Sequence, residues 1–210
     1  MECYLAGNAV LKGMYSQNNE EQFILSHFQG RGGRFLDIGA YDGKTFSNTL
    51  ALAERGWTGV CVEPSPSVFV LLLQLHGRNP GVVLLNAAVA LSPGFTTFYD
   101  SGGDAISSTV EAHVRKWEIG YKTAKFTPYE VYAVALSDLF DRYGFGFDFI
   151  NVDVEGNSFN LFERLPFARL DRTTCICVEH DDRAQAVVEI GSKHGFRLLT
   201  SNAENVILGR

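Results

Sequence analysis

Phe35-Leu36-Asp37-Ile38-Gly39-Ala40-Tyr41-Asp42-Gly43-Lys44-Thr45 decides the fold of this chain. A short apolar run ends in a carboxylate, a turn bounded by two glycines follows, and a polar stretch then opens a helix. That order describes a buried parallel strand delivering the chain to a tight turn, where open α/β sheets place their ligands. A dinucleotide fingerprint spaces its glycines G-x-G-x-x-G so that backbone amides close on a pyrophosphate. Here Gly39 and Gly43 are separated by three residues and the middle glycine is missing. Asp37 and Asp42 would also repel a pyrophosphate. An acidic turn of this spacing suits a zwitterionic, sulfonium-bearing nucleoside, S-adenosylmethionine. Its candidate contacts are Asp37, Gly39, Ala40, Tyr41, Asp42, Gly43 and Thr45.

The next strand supports that choice. Trp57-Thr58-Gly59-Val60-Cys61-Val62-Glu63-Pro64 ends in an acid about 20 residues after the glycine turn, the offset of a ribose-binding carboxylate. Glu63 can accept both hydroxyls of a ribose diol, with Pro64 beside it.

Bulk properties bound the rest. At 210 residues a single domain spanning 1–210 is expected, with 1–33 as a helical lead-in and 101–128 as a candidate substrate lid. Hydrophobic content of 46% with 20% charged residues fits a globular chain. A net charge of −6 argues against broad nucleic-acid binding. The longest apolar run, Val68-Phe69-Val70-Leu71-Leu72-Leu73, is too short for a membrane span and reads as a buried helix face. Met1-Glu2-Cys3-Tyr4 carries an acid where a secretory signal has bases, so a cytoplasmic location is expected. Cys175 and Cys177 share one face of a strand and cannot bridge each other, which points to reduced core thiols.

Along the chain, helices are expected from Ser16, over Thr45–Arg55, from Ser65-Pro66 toward Gly77, from Ser137 to Arg142, near Asn157, and over Asp182–His194. In the first of these Phe23, Leu25 and Phe28 are expected to pack on the sheet. Strands are expected at Val82–Val89, Phe95–Tyr99, Tyr129–Ala135, Phe147–Asp153 and Thr174–Glu179. A closing pair follows at Phe196–Leu199 and Asn205–Leu208. Alternating β and α units that close on a hairpin describe a mostly parallel sheet with one antiparallel strand.

Two more clusters sit at strand ends, Asn151-Val152-Asp153-Val154-Glu155-Gly156-Asn157 and Glu179-His180-Asp181-Asp182. Both should rim the crevice faced by Gly39 and Glu63, with Asp153 also within reach of the cofactor. Methyl transfer from a sulfonium needs an in-line nucleophile, and an alcohol must lose its proton in the step. Asp153, Glu155 and His180 are the candidate bases, His180 first because it titrates nearest neutrality. The same set with Glu179 is the candidate ligand group for a divalent metal, which ranks behind the metal-free case. Asp181 and Asp182 read most simply as charges opening a helix. Between Ser101 and Pro128, Ser107, Ser108, Arg115, Lys116, Trp117, Tyr121, Lys122 and Lys125 form a basic, aromatic island suited to an acceptor lid, one able to meet an anionic acceptor. A solvated helix packing Val114 and Trp117 on the domain accounts for it equally well.

Taken in order, Phe35–Gly43, Glu63-Pro64-Ser65, Asn86-Ala87-Ala88-Val89 and Val152-Asp153-Val154-Glu155-Gly156, with Ser16-Gln17 and acids behind it as lead-in, resemble the FkbM family of methyltransferases. The resemblance covers nearly the whole chain. It implies a class I, Rossmann-like methyltransferase fold with a seven-stranded sheet, S-adenosylmethionine as donor, and O-methylation of sugars, glycans or secondary metabolites. The family often carries lysine where Asn151 stands and a second acid where Ser158 stands. A non-catalytic adenosylmethionine-binding or partner module is the alternative, and a nicotinamide oxidoreductase ranks behind it.

Overall fold

The computed structural model describes residues 14–121 and 124–210. The start of the expected lead-in, with Cys3, and Lys122 of the expected lid lie outside the described residues. Helix α1 (Glu20–Phe28) precedes strand β1 (Arg34–Ile38), and the Gly39 turn leads to a short α2 (Leu50–Ala53). Then come β2 (Thr58–Val62), α3 (Pro66–His76), β3 (Val82–Leu85), β4 (Ala88–Ala90) and β5 (Gly94–Asp100). Helix α4 (Glu111–Gly120) separates β5 from β6 (Thr127–Ala135). The chain closes through α5 (Leu136–Tyr143), β7 (Phe149–Val152), α6 (Ser158–Phe162), β8 (Cys175–Glu179), α7 (Ala184–Lys193), β9 (Arg197–Ser201) and β10 (Asn205–Gly209).

Seven strands form the main sheet in the order β3-β2-β1-β7-β8-β10-β9, parallel except for β10, which runs against both its neighbours. Side chains alternate across it. Leu36, Ile38, Ile150, Val152, Ile176 and Val178 join one core with Phe140, Leu161, Phe162 and Val187 from α5, α6 and α7. Phe35, Phe149, Cys175 and Cys177 face the other side, where α1, α2 and α3 supply Ile24, Phe28, Leu52 and Leu72. Both β8 cysteines are buried free thiols on that second face. The order reverses between β1 and β7, so the Gly39 turn and the Asp153 loop leave the sheet side by side at its switch point.

Several local expectations are corrected. Thr45–Arg55 is helical only over Leu50–Ala53, because Phe46 takes a left-handed φ of 59° and turns its ring outward, where it is about half exposed. Val82–Val89 divides: β3 joins the main sheet, while β4 pairs with β6 in a second sheet of order β4-β6-β5. On α3, Val68 and Leu72 are buried but Val70, Leu71 and Leu73 are about half exposed, so that run presents a second apolar face to the surface. On α1, Ile24 and Phe28 pack inward and Phe23 points out. Glu20 does more than open that helix: its buried carboxylate accepts the Asn202 and Asn205 amides at 2.7 and 3.0 Å, pinning the lead-in to the β9–β10 turn. Asp181 and Asp182 lie outside α7 in left-handed conformations, and Asp181 caps α6 instead by accepting the Phe159 N–H at 2.8 Å. Among the described residues no helix is long and apolar enough to cross a membrane.

Candidate active site

A cavity of about 760 Å³ opens at the carboxyl ends of β1, β2, β7 and β8. Its floor is the Gly39 turn. Gly39 has a φ of +88°, and a Cβ there would lie 1.6 Å from the Asp153 carbonyl oxygen, so glycine is needed to let the two strand-end loops touch. All the turn amides but that of Asp42 are spent internally. Gly39 and Ala40 both donate to the Val62 carbonyl, Tyr41 to Glu63, Gly43 to the Ala40 carbonyl, and Lys44 and Thr45 to Asp42. No cradle of free N–H groups remains there for a pyrophosphate. Asp42 is therefore a turn-capping residue and Gly43 a packing residue under Leu72 and Leu75; neither lines the cavity, whereas Asp37, Gly39, Ala40, Tyr41, Thr45, Glu63 and Pro64 all do.

Asp37 is fully engaged beneath that floor. It accepts Thr49 Oγ1 at 2.5 Å and Asn151 Nδ2 at 2.9 Å, and Asn151 in turn accepts Asn48 Nδ2 at 3.0 Å. Burial raises the Asp37 pKa against those two bonds. Asn48 Oδ1, also in the wall, is buried without a partner, an acceptor suited to an ammonium or hydroxyl donor. Glu63 accepts the Tyr41 N–H at 3.0 Å and the Ser65 N–H at 2.7 Å, one on each oxygen, which fixes its carboxylate plane. Burial lifts its pKa to about 7, with the two N–H bonds opposing and the Asp100 charge adding. Tyr41 also ties the turn to the lid segment through its hydroxyl, which donates to the Gly103 carbonyl.

The β7 and β8 loops bring Asp153, Glu155 and Glu179 together, with one oxygen of each within 4.8 Å of the others. His180, expected with them, lines the same cavity outside this group. Its Nε2 sits 3.4 Å from the Asn202 carbonyl and its Nδ1 is buried without a partner. Burial and the charges of Glu179 and Glu155 push the Asp153 pKa well above its ordinary value. Burial and Glu155 lift Glu179 to about 7, although Ser158 donates to it at 2.6 Å. Glu155 is raised by burial, and His113 pulls it back down.

His113 was not among the expected site residues. It stands on α4 with Nε2 3.2 Å from Glu155 Oε2 and 2.9 Å from Trp117 Nε1. The sequence signal was there: histidine and tryptophan spaced i, i+4 on an amphipathic stretch share one face. Of the lid residues, Ser107, Lys116 and Trp117 line the cavity, Lys116 pairing with Asp182 at 3.2 Å. Ser108 is buried and donates to the Glu155 carbonyl at 2.5 Å, a supporting role. Arg115 lies outside the wall, exposed and paired with Glu111 at 2.6 Å. Val114 packs helix α4 down on the domain, while His113 and Trp117 face the chamber.

Residues 37–198 match the family described as the methyltransferase FkbM domain. No curated protein matches the chain in sequence. Among solved structures, a methyltransferase FkbM from Methylobacillus flagellatus KT superposes with a TM-score of 0.50 at 10% identity, over 85% of this chain and 44% of that one. The chain thus spans less than half that relative's length. A precorrin-6y C5,15-methyltransferase from Geobacter metallireducens GS-15 superposes with a TM-score of 0.52 at 12% identity, over 100% of this chain and 94% of that one. At these identities the superpositions establish the shared fold.

Proposed function

Because the chain belongs to the FkbM methyltransferase family, we propose that it transfers the methyl group of S-adenosylmethionine to a hydroxyl of a sugar, glycan or other small metabolite. One observation carries the proposal: Glu63, the acid at the ribose-binding offset, and Glu155, a carboxylate with one oxygen left without a protein partner among the described residues, line the same cavity. The donor supplies an electrophilic methyl on a sulfonium, whose thioether leaves without acid catalysis.

The chain's own residues would divide the work. Glu63 accepts the ribose hydroxyls, and the Asn48 amide oxygen takes a donor from the amino-acid end. Ala87, Ala88 and Phe98 give an apolar wall for a base. Glu155 is the favoured proton acceptor, since it lines the cavity with one oxygen held by His113 and the other without a protein partner among the described residues, and no carboxylate among them orients His180. Trp117, stacked on Tyr121 with ring centroids 5.2 Å apart, offers the flat face that a sugar ring covers. Acids outnumber the two cations of the wall, Lys116 pairing with Asp182 and Arg183 lying over the Phe159 ring, so an uncharged polyol or amino sugar suits it better than a phosphorylated one.

A divalent cation on Asp153, Glu155 and Glu179 is a second reading, favoured by their convergence within 4.8 Å. The deciding experiment is transfer of labelled methyl from S-adenosylmethionine to a panel of sugars, glycans and hydroxylated metabolites, with and without a chelator. Transfer unaffected by the chelator supports Glu155. Donor binding with no transfer across the panel would favour a non-catalytic module.

A further inference from the structure

We propose that His113 positions Glu155 for methyl transfer, holding Glu155 Oε2 so that the other oxygen faces the hydroxyl receiving the methyl group. This rests on the methyltransferase reading of the cavity. Glu155 is pinned from three sides. Its backbone, left-handed at φ 56°, donates its N–H to Glu179 at 3.1 Å and accepts Ser108 Oγ at 2.5 Å. Its side chain meets His113 Nε2 at 3.2 Å, while the second oxygen has no partner within the protein among the described residues and Glu155 lines the cavity.

His113 is itself seated with little freedom. A Cβ at Gly156 would come within 2.8 Å of the His113 Cβ and 2.9 Å of its Nδ1, so the imidazole lies directly on the glycine that follows Glu155. On its other side Trp117 Nε1 reaches the same Nε2 at 2.9 Å. One nitrogen cannot serve both partners at once. Carrying a proton, Nε2 donates to Glu155; without one, it accepts the indole N–H. In either case the ring stays between α4 and the β7 loop, and it is the tautomer with the proton on Nε2 that holds Glu155 Oε2. In the step itself, the acceptor oxygen bonds to the methyl carbon as the carbon–sulfur bond breaks. Sulfur keeps the electron pair, and the hydroxyl proton passes to the free oxygen of Glu155.

An acceptor-free experiment tests this. Sinefungin carries an amine in place of the sulfonium methyl, so its ammonium stands where the methyl does. Calorimetry of the wild type should give a preference for sinefungin over S-adenosylhomocysteine of about tenfold, from an ion pair with Glu155. Glu155→Gln and His113→Ala should each reduce the preference to within about twofold, leaving S-adenosylhomocysteine affinity unchanged. His113→Gln, whose amide N–H can reach the same oxygen, should keep at least half of it. Where His113→Ala melts early, His113→Phe, which keeps a ring there but no N–H, replaces it and should give the same reduced preference. A preference that survives His113→Ala, or one lost equally in the Ala and Gln variants, would overturn the proposal. So would a wild type that binds S-adenosylhomocysteine with no preference for sinefungin. Failure of the wild type to bind either ligand would sink the methyltransferase reading itself, a distinct result that takes the proposal with it.

Discussion

Donor affinity should depend on pH through Glu63, and Glu63→Gln should abolish that dependence. The residue is only 6% exposed, and its pKa rises from 4.5 to about 7 because burial outweighs the Ser65 and Tyr41 N–H bonds. Keeping the carboxylate ionised there costs about 3 kcal/mol. The folded state holds this proton more tightly than the unfolded chain. The stability Glu63 contributes is therefore complete below pH 4.5 and lost as the pH rises through about 7. A ribose diol donates to the ionised form, so binding below pH 7 must expel the proton. Affinity for S-adenosylhomocysteine should then climb about tenfold per pH unit toward 7 and level off above it. Glutamine has one acceptor oxygen where the carboxylate uses two, so its NH₂ must face either Tyr41 N–H or Ser65 N–H. The resulting unmade bond costs about 1–3 kcal/mol, and the variant should bind weakly at every pH. Calorimetry in buffers of differing protonation enthalpy reads both affinity and protons released. A wild-type profile that is flat, or a slope that persists unchanged in Glu63→Gln, would remove Glu63 from the ribose site.

Further outcomes can be read separately. Gly39→Ala should destabilise the fold by at least about 2 kcal/mol in a denaturant titration, since its Cβ would strike the Asp153 carbonyl oxygen at a positive φ. Gly43→Ala should cost less, because it meets the mobile ends of Leu72 and Leu75. Asp37, Asp153 and Glu179 are all raised by burial, as Glu63 is, so the thermal midpoint of the ligand-free protein should fall as the pH rises from about 5 to 8; a rising midpoint would contradict those environments. Once an acceptor is in hand, Glu155→Gln should lower turnover by about 10²–10⁴-fold while His180→Ala stays within about threefold, and the reverse ranking would transfer the base to His180. Reversing Lys116 should alter acceptor KM with donor affinity unchanged, and reversing Arg115 should alter neither, as their placement relative to the cavity requires.

The centre of the parallel core was legible because β1, β2, β7 and β8 each carry their own signal: a short apolar run between turn residues, with an acid at or next to the point where the strand leaves the sheet. Phe35–Asp37 and Cys175–Glu179 need no tertiary knowledge to be placed, and Glu63 follows from its offset. What escaped depended on neighbours distant in sequence. Phe46 interrupts an apparent helix because the turn before it, closed by Asp42, fixes where the chain can restart. Val82–Val89 looks continuous, yet Asn86 donates its side-chain amide to the Glu63 and Pro64 carbonyls and the chain passes to another sheet. His113 gained its place only when α4 folded over Gly156, a contact between residues far apart in the chain. His180 ranked first as a base on intrinsic pKa, a property that ignores which partners a fold supplies.

The pairing of β5 with β6 has a consequence for how acceptor preference can change. Asp100 and Thr127 are register partners, so the segment carrying α4 leaves and re-enters the molecule at adjacent points of an antiparallel ladder. For a chain whose ends are already held together, the entropy of closure grows only with the logarithm of length, and doubling the segment costs about 0.6 kcal/mol. Glu63 and the Gly39 turn are anchored in a different sheet. Insertion, shortening or wholesale exchange between Asp100 and Thr127 can thus redraw the roof of the chamber while the donor's binding surface stays in register. On the proposed function, exchanging this segment should change the acceptor without disturbing donor affinity.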